Sequence, residues 1–195
     1  MKNENKNKNK IIKKEFNEII GILKHYELSN NTSFTKLCDL TIAAFKKKKK
    51  IIFFGNGGSA ADAQHLATEF VVKYSKKRSA LPAISLATDT SILTAIGNDF
   101  AFKNIFSRQI EAIGEKGDIA IAITTSGNSI NLIEAIKTAN KKKITTFCFS
   151  GNLGGKLKKY VKYPIIIPSK KTSAIQVIEI MIGQIFCEIV EKKFL

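Results

Sequence analysis

Two turns rich in hydroxyl groups and glycine could bind a phosphate group. Residues 55–59 read Gly-Asn-Gly-Gly-Ser and residues 124–129 read Thr-Thr-Ser-Gly-Asn-Ser, and each follows a short apolar run and opens a helical segment. Glycine lets the backbone approach a ligand, and the unpaired N–H groups at a helix start attract an anion. Ordinary helix caps use the same residue types, but two such turns at corresponding places favour phosphate binding. The sequence has neither a Walker loop nor a Gly-x-Gly-x-x-Gly motif, which indicates a monophosphate ligand.

A histidine and a glutamate follow the first turn on the same predicted helix. His65 and Glu69 are four residues apart, so both side chains project from one helix face. An imidazole beside a carboxylate suits proton transfer or binding of a divalent metal. An exposed hydrogen-bonded pair without function has the same spacing, and the position after the 55–59 turn favours a functional role. His25 stands alone in the first predicted helix and is expected to be structural or solvated.

Apolar runs predict the elements that position these residues. Strands are predicted at 51–54, 83–86, 119–123, 145–149 and 165–167. Helices are predicted near 11–28, after the cap candidates 30–33 up to Lys46, and near 59–74, 90–97, 102–114, 129–140, 152–159 and 173–193. Continuously apolar strands are typical of a parallel sheet covered by helices on both faces. We therefore predict an α/β three-layer sandwich with a five-stranded parallel sheet and an N-terminal helical extension, with its ligand crevice beyond the carboxyl ends of the strands.

Composition and charge narrow the class of protein. The 195 residues include 32 Lys and Arg against 16 Asp and Glu, a net charge of +16, yet only Arg78 and Arg108 are arginines. Lysine runs without interleaved arginine and aromatic residues favour a solvated surface over a nucleic-acid interface. Residues 1–9 are predicted to be a flexible basic segment, and residues 10–195 a single domain.

Cysteine usage and hydropathy indicate the compartment. Cys38, Cys148 and Cys187 are scattered and are expected to be reduced and buried. We expect no apolar run to be long enough for a membrane span, and the N-terminus lacks the apolar stretch of a secretory signal. A cytoplasmic protein is therefore expected.

Three longer segments resemble a known family. They are GNGGSAADAQHLATEF (55–70), DTSILTAIGNDFAFKNIFSRQ (89–109) and TTSGNSINLIEAIKTA (124–139). Together they resemble the sugar isomerase (SIS) domain of phosphoheptose isomerases, over roughly residues 10–195. The resemblance implies conversion of sedoheptulose 7-phosphate to glycero-manno-heptose 7-phosphate, for heptose units of lipopolysaccharide or capsule. It also implies a homotetramer whose active sites lie between subunits.

The same resemblance assigns roles to individual residues. Those implied to bind the sugar phosphate are Asn56, Gly57, Gly58, Ser59, Asn98, Asp99, Thr124, Thr125, Ser126, Ser129 and Gln176. Those implied in catalysis are Glu69, His65 and Gln184. Those implied to bind zinc are His65, Glu69, Gln176 and Gln184. Position 184 is glutamine where the family places a histidine, and Lys73 stands where an arginine is common.

The substitution at position 184 leaves two other functions open. An amide does not titrate near neutral pH. A relative of the family, the SIS protein that associates with the bacterial replication initiator, also lacks this histidine, so Gln184 and the charge of +16 favour a non-catalytic adaptor. The intact Glu69 favours the isomerase instead. A sugar-phosphate-binding regulatory domain is a third possibility, which would bind ligand without turnover.

Overall fold

Five parallel strands form the centre of the chain in a computed structural model that describes residues 2–28 and 31–195. They are β1 (Ile51–Gly55), β2 (Ala83–Ser85), β3 (Ile119–Thr124), β4 (Thr145–Ser150) and β5 (Tyr163–Ile166), in the sheet order β2-β1-β3-β4-β5. Every neighbouring pair is parallel, and all residues of β1 and β3 are buried. The predicted fold class is confirmed.

Helices cover both faces of this sheet. They are α1 (Lys2–His25), α2 (Thr32–Lys46), α3 (Gly58–Val71), α4 (Thr90–Asp99), α5 (Ser107–Ile113), α6 (Ile130–Lys141) and α7 (Thr172–Glu191). Successive strand side chains point to opposite faces, so Phe53 packs in the cluster formed with α2, α3 and α7, whereas Phe54 packs in the cluster formed with α4, α5 and α6. The result is the three-layer sandwich.

The first helix begins earlier than the sequence patterning predicts. It includes residues 2–9, where we expected a flexible segment; this stretch contains no Gly or Pro, and its three Lys residues and Glu4 favour a helix, although its four Asn residues do not. Glu4 and Lys8 also form an i,i+4 pair at 3.6 Å. The flexibility of residues 1–9 stays a prediction, and the side chain of His25 lies outside the described residues. The second helix begins as expected, with Asn31 accepting a 3.0 Å bond from the backbone N–H of Phe34.

Two predicted helices are shorter in the structure. The segment 152–159 forms two 3₁₀ turns, at Asn152–Gly154 and Leu157–Lys159, because Gly154 and Gly155 adopt φ values of 85° and 51° that interrupt a helix. The segment 102–114 starts with a 3₁₀ turn, and its α-helix begins only at Ser107.

The last helix is more apolar than the sequence analysis allowed. By length and composition Thr172–Glu191 would suffice to cross a membrane, which corrects our expectation that no run does. Half of its most apolar stretch is buried within the protein, and Gly183 packs so closely on Leu66 of α3 that a Cβ would lie 2.6 Å from that side chain. These contacts are those of a core helix.

The three cysteines are free and buried, as predicted. Burial raises the pKa of the Cys148 thiol to about 12, so this group stays a protonated, unreactive thiol.

Candidate functional site

A small polar cavity lies beyond the carboxyl ends of β1 and β3. Its volume is about 120 Å³, and its lining includes the residues Asn56, Ser59, Ile123, Thr124, Thr125, Ser126, Ser129 and Gln176. The chain runs from β1 to β2 on one side and later crosses to β3 on the other, so the cavity occupies the switch point of the sheet, where ligands of such folds bind. The structure therefore brings both predicted turns and Gln176 of the last helix together. We call this cavity the cradle.

Two helix N-termini meet at the cradle. α3 begins at Gly58 and α6 at Ile130, directly after the first and second turns. Gly57 has a φ of 56°, a backbone conformation that favours glycine, and a Cβ on Gly58 would displace the Gln176 amide. Helix N-termini carry partial positive charge and free N–H groups, and with the hydroxyls of Ser59 and Thr124 they suit a phosphate.

The turn after β4, residues 150–155, has no residue among those that line the cradle, and it packs against the second turn. A Cβ on Gly155 would lie 2.5 Å from the carbonyl oxygen of Ser126, and a Cβ on Gly127 would collide with the carbonyl oxygen of Gly154. The two turns are therefore in direct backbone contact.

Asn131 is a site residue that the sequence analysis missed. Its amide exchanges two hydrogen bonds with that of Asn56, of 2.8 and 3.0 Å, and its side chain is only 3 % exposed. This pair fixes the turn after β1 to the first turn of α6. One signal in the sequence could have pointed to Asn131. It stands two residues after Ser129, the residue that precedes α6, at a position of the helix that faces the interior.

His65, Glu69 and Gln184 form a compact cluster; helical spacing predicts that His65 and Glu69 share one face of α3, and the family resemblance implies that Gln184 joins them. His65 Nε2 lies 3.0 Å from Glu69 Oε1 and 2.9 Å from Gln184 Nε2, and Gln184 Nε2 lies 3.4 Å from Glu69 Oε1. When His65 Nε2 is protonated it donates to Glu69, and when it is unprotonated it accepts from the Gln184 amide. The cluster can therefore hold a mobile proton, while the amide supplies a hydrogen bond and no titrating group.

Comparisons with known proteins identify the family. A SIS domain family model matches residues 16–151. A phosphoheptose isomerase from Clostridium acetobutylicum is 52 % identical over 157 residues, which cover 80 % of this chain and 80 % of that protein. The chain belongs to the phosphoheptose isomerase family of SIS domain proteins.

Other members of the family agree over nearly the full length. A phosphoheptose isomerase from Sulfurimonas denitrificans is 47 % identical over 93 % of this chain and 92 % of that protein. The solved structure of a phosphoheptose isomerase from Neisseria gonorrhoeae superimposes with a TM-score of 0.87 at 35 % identity, covering 94 % of this chain and 98 % of that one. The resemblance drawn from the sequence is confirmed.

Two residues that the family resemblance assigns to the substrate lie apart from the cradle. Asn98 and Asp99 end α4, where the Asn98 amide donates a 2.8 Å bond to Asp99 Oδ1. Asp99 lines a separate, largely apolar cavity of about 540 Å³ beside α4 and α5, which has no lining residue in common with the cradle. Within one chain these two side chains and the cradle do not form one cavity.

The side chains implied for zinc do not make up the donor set that zinc usually takes. Zinc in proteins is bound by Cys, His, Asp and Glu. His65 and Glu69 are of this kind, but Gln176 and Gln184 are neutral amides, and the described residues contain no group of three His, Cys, Asp or Glu side chains placed to hold a metal. Zinc binding stays a prediction, and the residues present do not by themselves fit it.

A buried glutamate lies behind the cradle. Glu179 of α7 is 1 % exposed, and neither carboxyl oxygen has a hydrogen-bond partner among the described residues. Burial raises its pKa to about 9, the carboxylate of Asp62 adds to this rise, and the backbone N–H of Thr124 opposes it. Glu179 is therefore neutral at physiological pH. The sequence analysis did not predict that Glu179 is buried, because a charged residue within an apolar helix can also face solvent.

Proposed function

We propose that this chain is an aldose–ketose isomerase that converts sedoheptulose 7-phosphate to glycero-manno-heptose 7-phosphate, for heptose units of lipopolysaccharide or capsule. The observation that carries the proposal is that one helix, α3, places a phosphate cradle at its start and the His65–Glu69 pair further along. The relatives that bear the name phosphoheptose isomerase support the choice of substrate.

The cradle would hold the phosphate and direct the sugar along α3. His65 follows Ser59 by six residues, a helical rise of about 9 Å, so the carbonyl end of the sugar can reach the proton-transfer pair. The phosphate binds without a lysine, because the two helix N-termini and the hydroxyls compensate its charge.

Glu69 and His65 then divide the proton transfers. Glu69 as the carboxylate removes a proton from C1 of the ketose, which gives an enediol, and it returns a proton to C2 of the aldose. His65 moves the hydroxyl proton from O1 to O2, so no net proton, electron or water is consumed. Gln184 donates a hydrogen bond to the pair and holds its geometry.

A second part of the proposal is that the site lies between subunits of a homotetramer. Asn98 and Asp99 of another copy would supply the contacts to the sugar hydroxyls that the chain's own cradle lacks. Large apolar side chains on α1 support association between copies, since Ile11, Ile12, Phe16 and Ile20 are 46 to 66 % exposed.

The expected compartment is the cytoplasm. Buried, free cysteines at three separate positions fit a reducing compartment.

The test is incubation of the purified chain with sedoheptulose 7-phosphate, with aldose formation followed by NMR. We expect conversion by the unaltered chain and none above background by Glu69→Gln, which keeps the shape of the side chain and removes the base. Conversion no faster than that of Glu69→Gln would reject the isomerase. A melting shift with the substrate but no turnover would instead support the regulatory domain, and retention of the replication initiator protein in a pull-down would support the adaptor.

A further inference from the structure

A buried ion pair joins the C-terminal ends of the two helices that carry the proton-transfer cluster. Arg78 Nε lies 3.3 Å from Glu191 Oε1, and the side chains are 1 % and 4 % exposed. Glu191 is the last residue of α7, which carries Gln184, and Arg78 follows α3, which carries Glu69. The pair therefore bridges the two sides of the cluster.

Arg78 binds the backbone of Glu69 itself. Its Nη2 donates to the carbonyl oxygen of Glu69 at 2.8 Å, and its Nη1 donates to the carbonyl oxygens of Phe70 at 2.8 Å and Ser79 at 2.9 Å. The carbonyl groups in the last turn of a helix have no partner within the helix, and a cation there is favourable. The planar guanidinium reaches several carbonyl oxygens at once, which a lysine ammonium cannot do in the same geometry.

Glu191 fixes the other side of this bridge. Its carboxylate accepts from the backbone N–H groups of Tyr74 and Ser75 at 2.8 Å and of Lys76 at 3.2 Å. Burial alone would raise the pKa of Glu191, but the three N–H donors and Arg78 outweigh it and lower the pKa. Glu191 is therefore ionised, and it stands seven residues, about two helical turns, beyond Gln184 on α7.

We propose that Arg78 and Glu191 are positioning residues that set the distance between Glu69 and Gln184, and with it the geometry of the His65–Glu69 proton transfer. The inference rests on the proposed isomerase function. It predicts that weakening the bridge slows the chemical step while phosphate binding stays intact, because the cradle lies at the opposite end of α3. A displacement of about 1 Å in a catalytic group can cost on the order of 100-fold in rate.

The kinetic test compares Glu191→Gln and Arg78→Lys with a matched control. Asp118→Asn breaks a similar interaction, since Asp118 is fully buried, pairs with Lys50 at 2.7 Å and accepts from the backbone N–H groups of Lys50 and Glu115. Asp118 directly precedes β3, and neither of its partners, Lys50 and Glu115, belongs to α3 or α7. We expect kcat to fall 10- to 100-fold in both bridge variants, with KM within about twofold of the unaltered chain, and kcat to be unchanged in Asp118→Asn.

A second readout does not depend on turnover. The chain has two histidines, so the ¹⁵N resonances of the His65 ring can be assigned by comparison with His25→Gln. We expect these resonances to shift in Glu191→Gln and Arg78→Lys and to stay in place in Asp118→Asn. Unmoved His65 resonances in both bridge variants would overturn the positioning role, as would a loss of kcat shared with Asp118→Asn. If the unaltered chain does not convert sedoheptulose 7-phosphate, the proposed function fails, and the His65 resonances alone decide whether the bridge positions the cluster.

Discussion

Asn56 and Asn131 are joined by two amide hydrogen bonds, of 3.0 and 2.8 Å, although 75 residues separate them in the chain. Asn56 lies in the turn that leads into α3, and Asn131 lies in the first turn of α6. The pair therefore holds two helix N-termini toward the same cavity. Each N-terminus attracts an anion weakly, and their fixed convergence suits the cradle to the compact phosphate group that we propose it binds.

Removing this pair should weaken substrate binding. In Asn131→Ala the Asn56 amide loses both bonds and the two turns separate, so we expect KM for sedoheptulose 7-phosphate to rise about tenfold, which corresponds to the roughly 1.4 kcal/mol typical of lost buried hydrogen bonds. Steady-state kinetics measure the change. Asn140→Ala is the control, because this asparagine lies on the same helix about 14 Å further along. A KM for Asn131→Ala equal to that of the control would refute the role of the pair.

Mixing two inactive variants should restore activity if the site lies between subunits. Glu69→Gln lacks the base, and a chain with Asp99→Ala lacks a proposed contact to the sugar hydroxyls. When the two are unfolded together and refolded, a mixed assembly contains some sites with Glu69 from one chain and Asp99 from another. We expect activity well above the sum of the separate variants. Activity equal to that sum would place both side chains in a site made by a single chain.

The side chains implied to bind zinc include only one histidine and one carboxylate, which predicts weak zinc binding. A single substitution should strengthen it. We expect a chelator to leave the turnover of the unaltered chain unchanged, because His65 and Glu69 are only two of the ligands that zinc usually takes. Gln184→His adds an imidazole beside both, and we expect this variant to bind zinc at least tenfold more tightly in a competition assay with a colorimetric chelator. Loss of turnover on chelation of the unaltered chain, restored by zinc, would contradict this prediction and assign a metal to the cluster.

Glu179 makes the stability of the protein depend on pH in a predictable direction. Its pKa of about 9 in the folded state lies above its ordinary value, so between these pH values the folded chain binds more protons than the unfolded chain. The stabilisation is complete at low pH and is lost as the pH rises toward 9. Glu179→Gln removes this dependence, and we expect it to stabilise the protein by on the order of 4 kcal/mol more at pH 8 than at pH 5. Urea unfolding at both values measures the difference, and an equal effect at both would show that Glu179 is ionised in the folded protein.

The sequence was sufficient for the sheet, for the two turns of the cradle and for the His65–Glu69 pair. Continuous apolar strands permit few other folds, and these site residues follow strand ends or share a helix face, so local spacing determines where they lie. Residues 2–9 form part of α1, which their lack of apolar periodicity does not indicate, and the flexibility predicted for residues 1–9 stays a prediction.

The remaining features depend on contacts between distant segments. Nothing near Arg78 in the sequence indicates that it binds the carbonyl oxygen of Glu69, and nothing near Glu191 indicates three backbone donors 115 to 117 residues away. Burial of Glu179 likewise follows from how α7 packs against α3 and the sheet. A charged residue in an apolar helix can face solvent or the interior, and only the packing decides between them.

The backbone contact between the turns at 126–127 and 154–155 limits how this enzyme can diverge. Main-chain atoms fill the space that side chains would occupy, so point mutations cannot enlarge or reshape this wall of the binding site without displacing both turns together. A new substrate preference, whether it evolves or is engineered, must therefore come from changes in the residues that face the sugar. The turns proposed to bind the charged end of the substrate must stay unchanged. Libraries that randomise residues 126–127 and 154–155 should yield mostly misfolded protein.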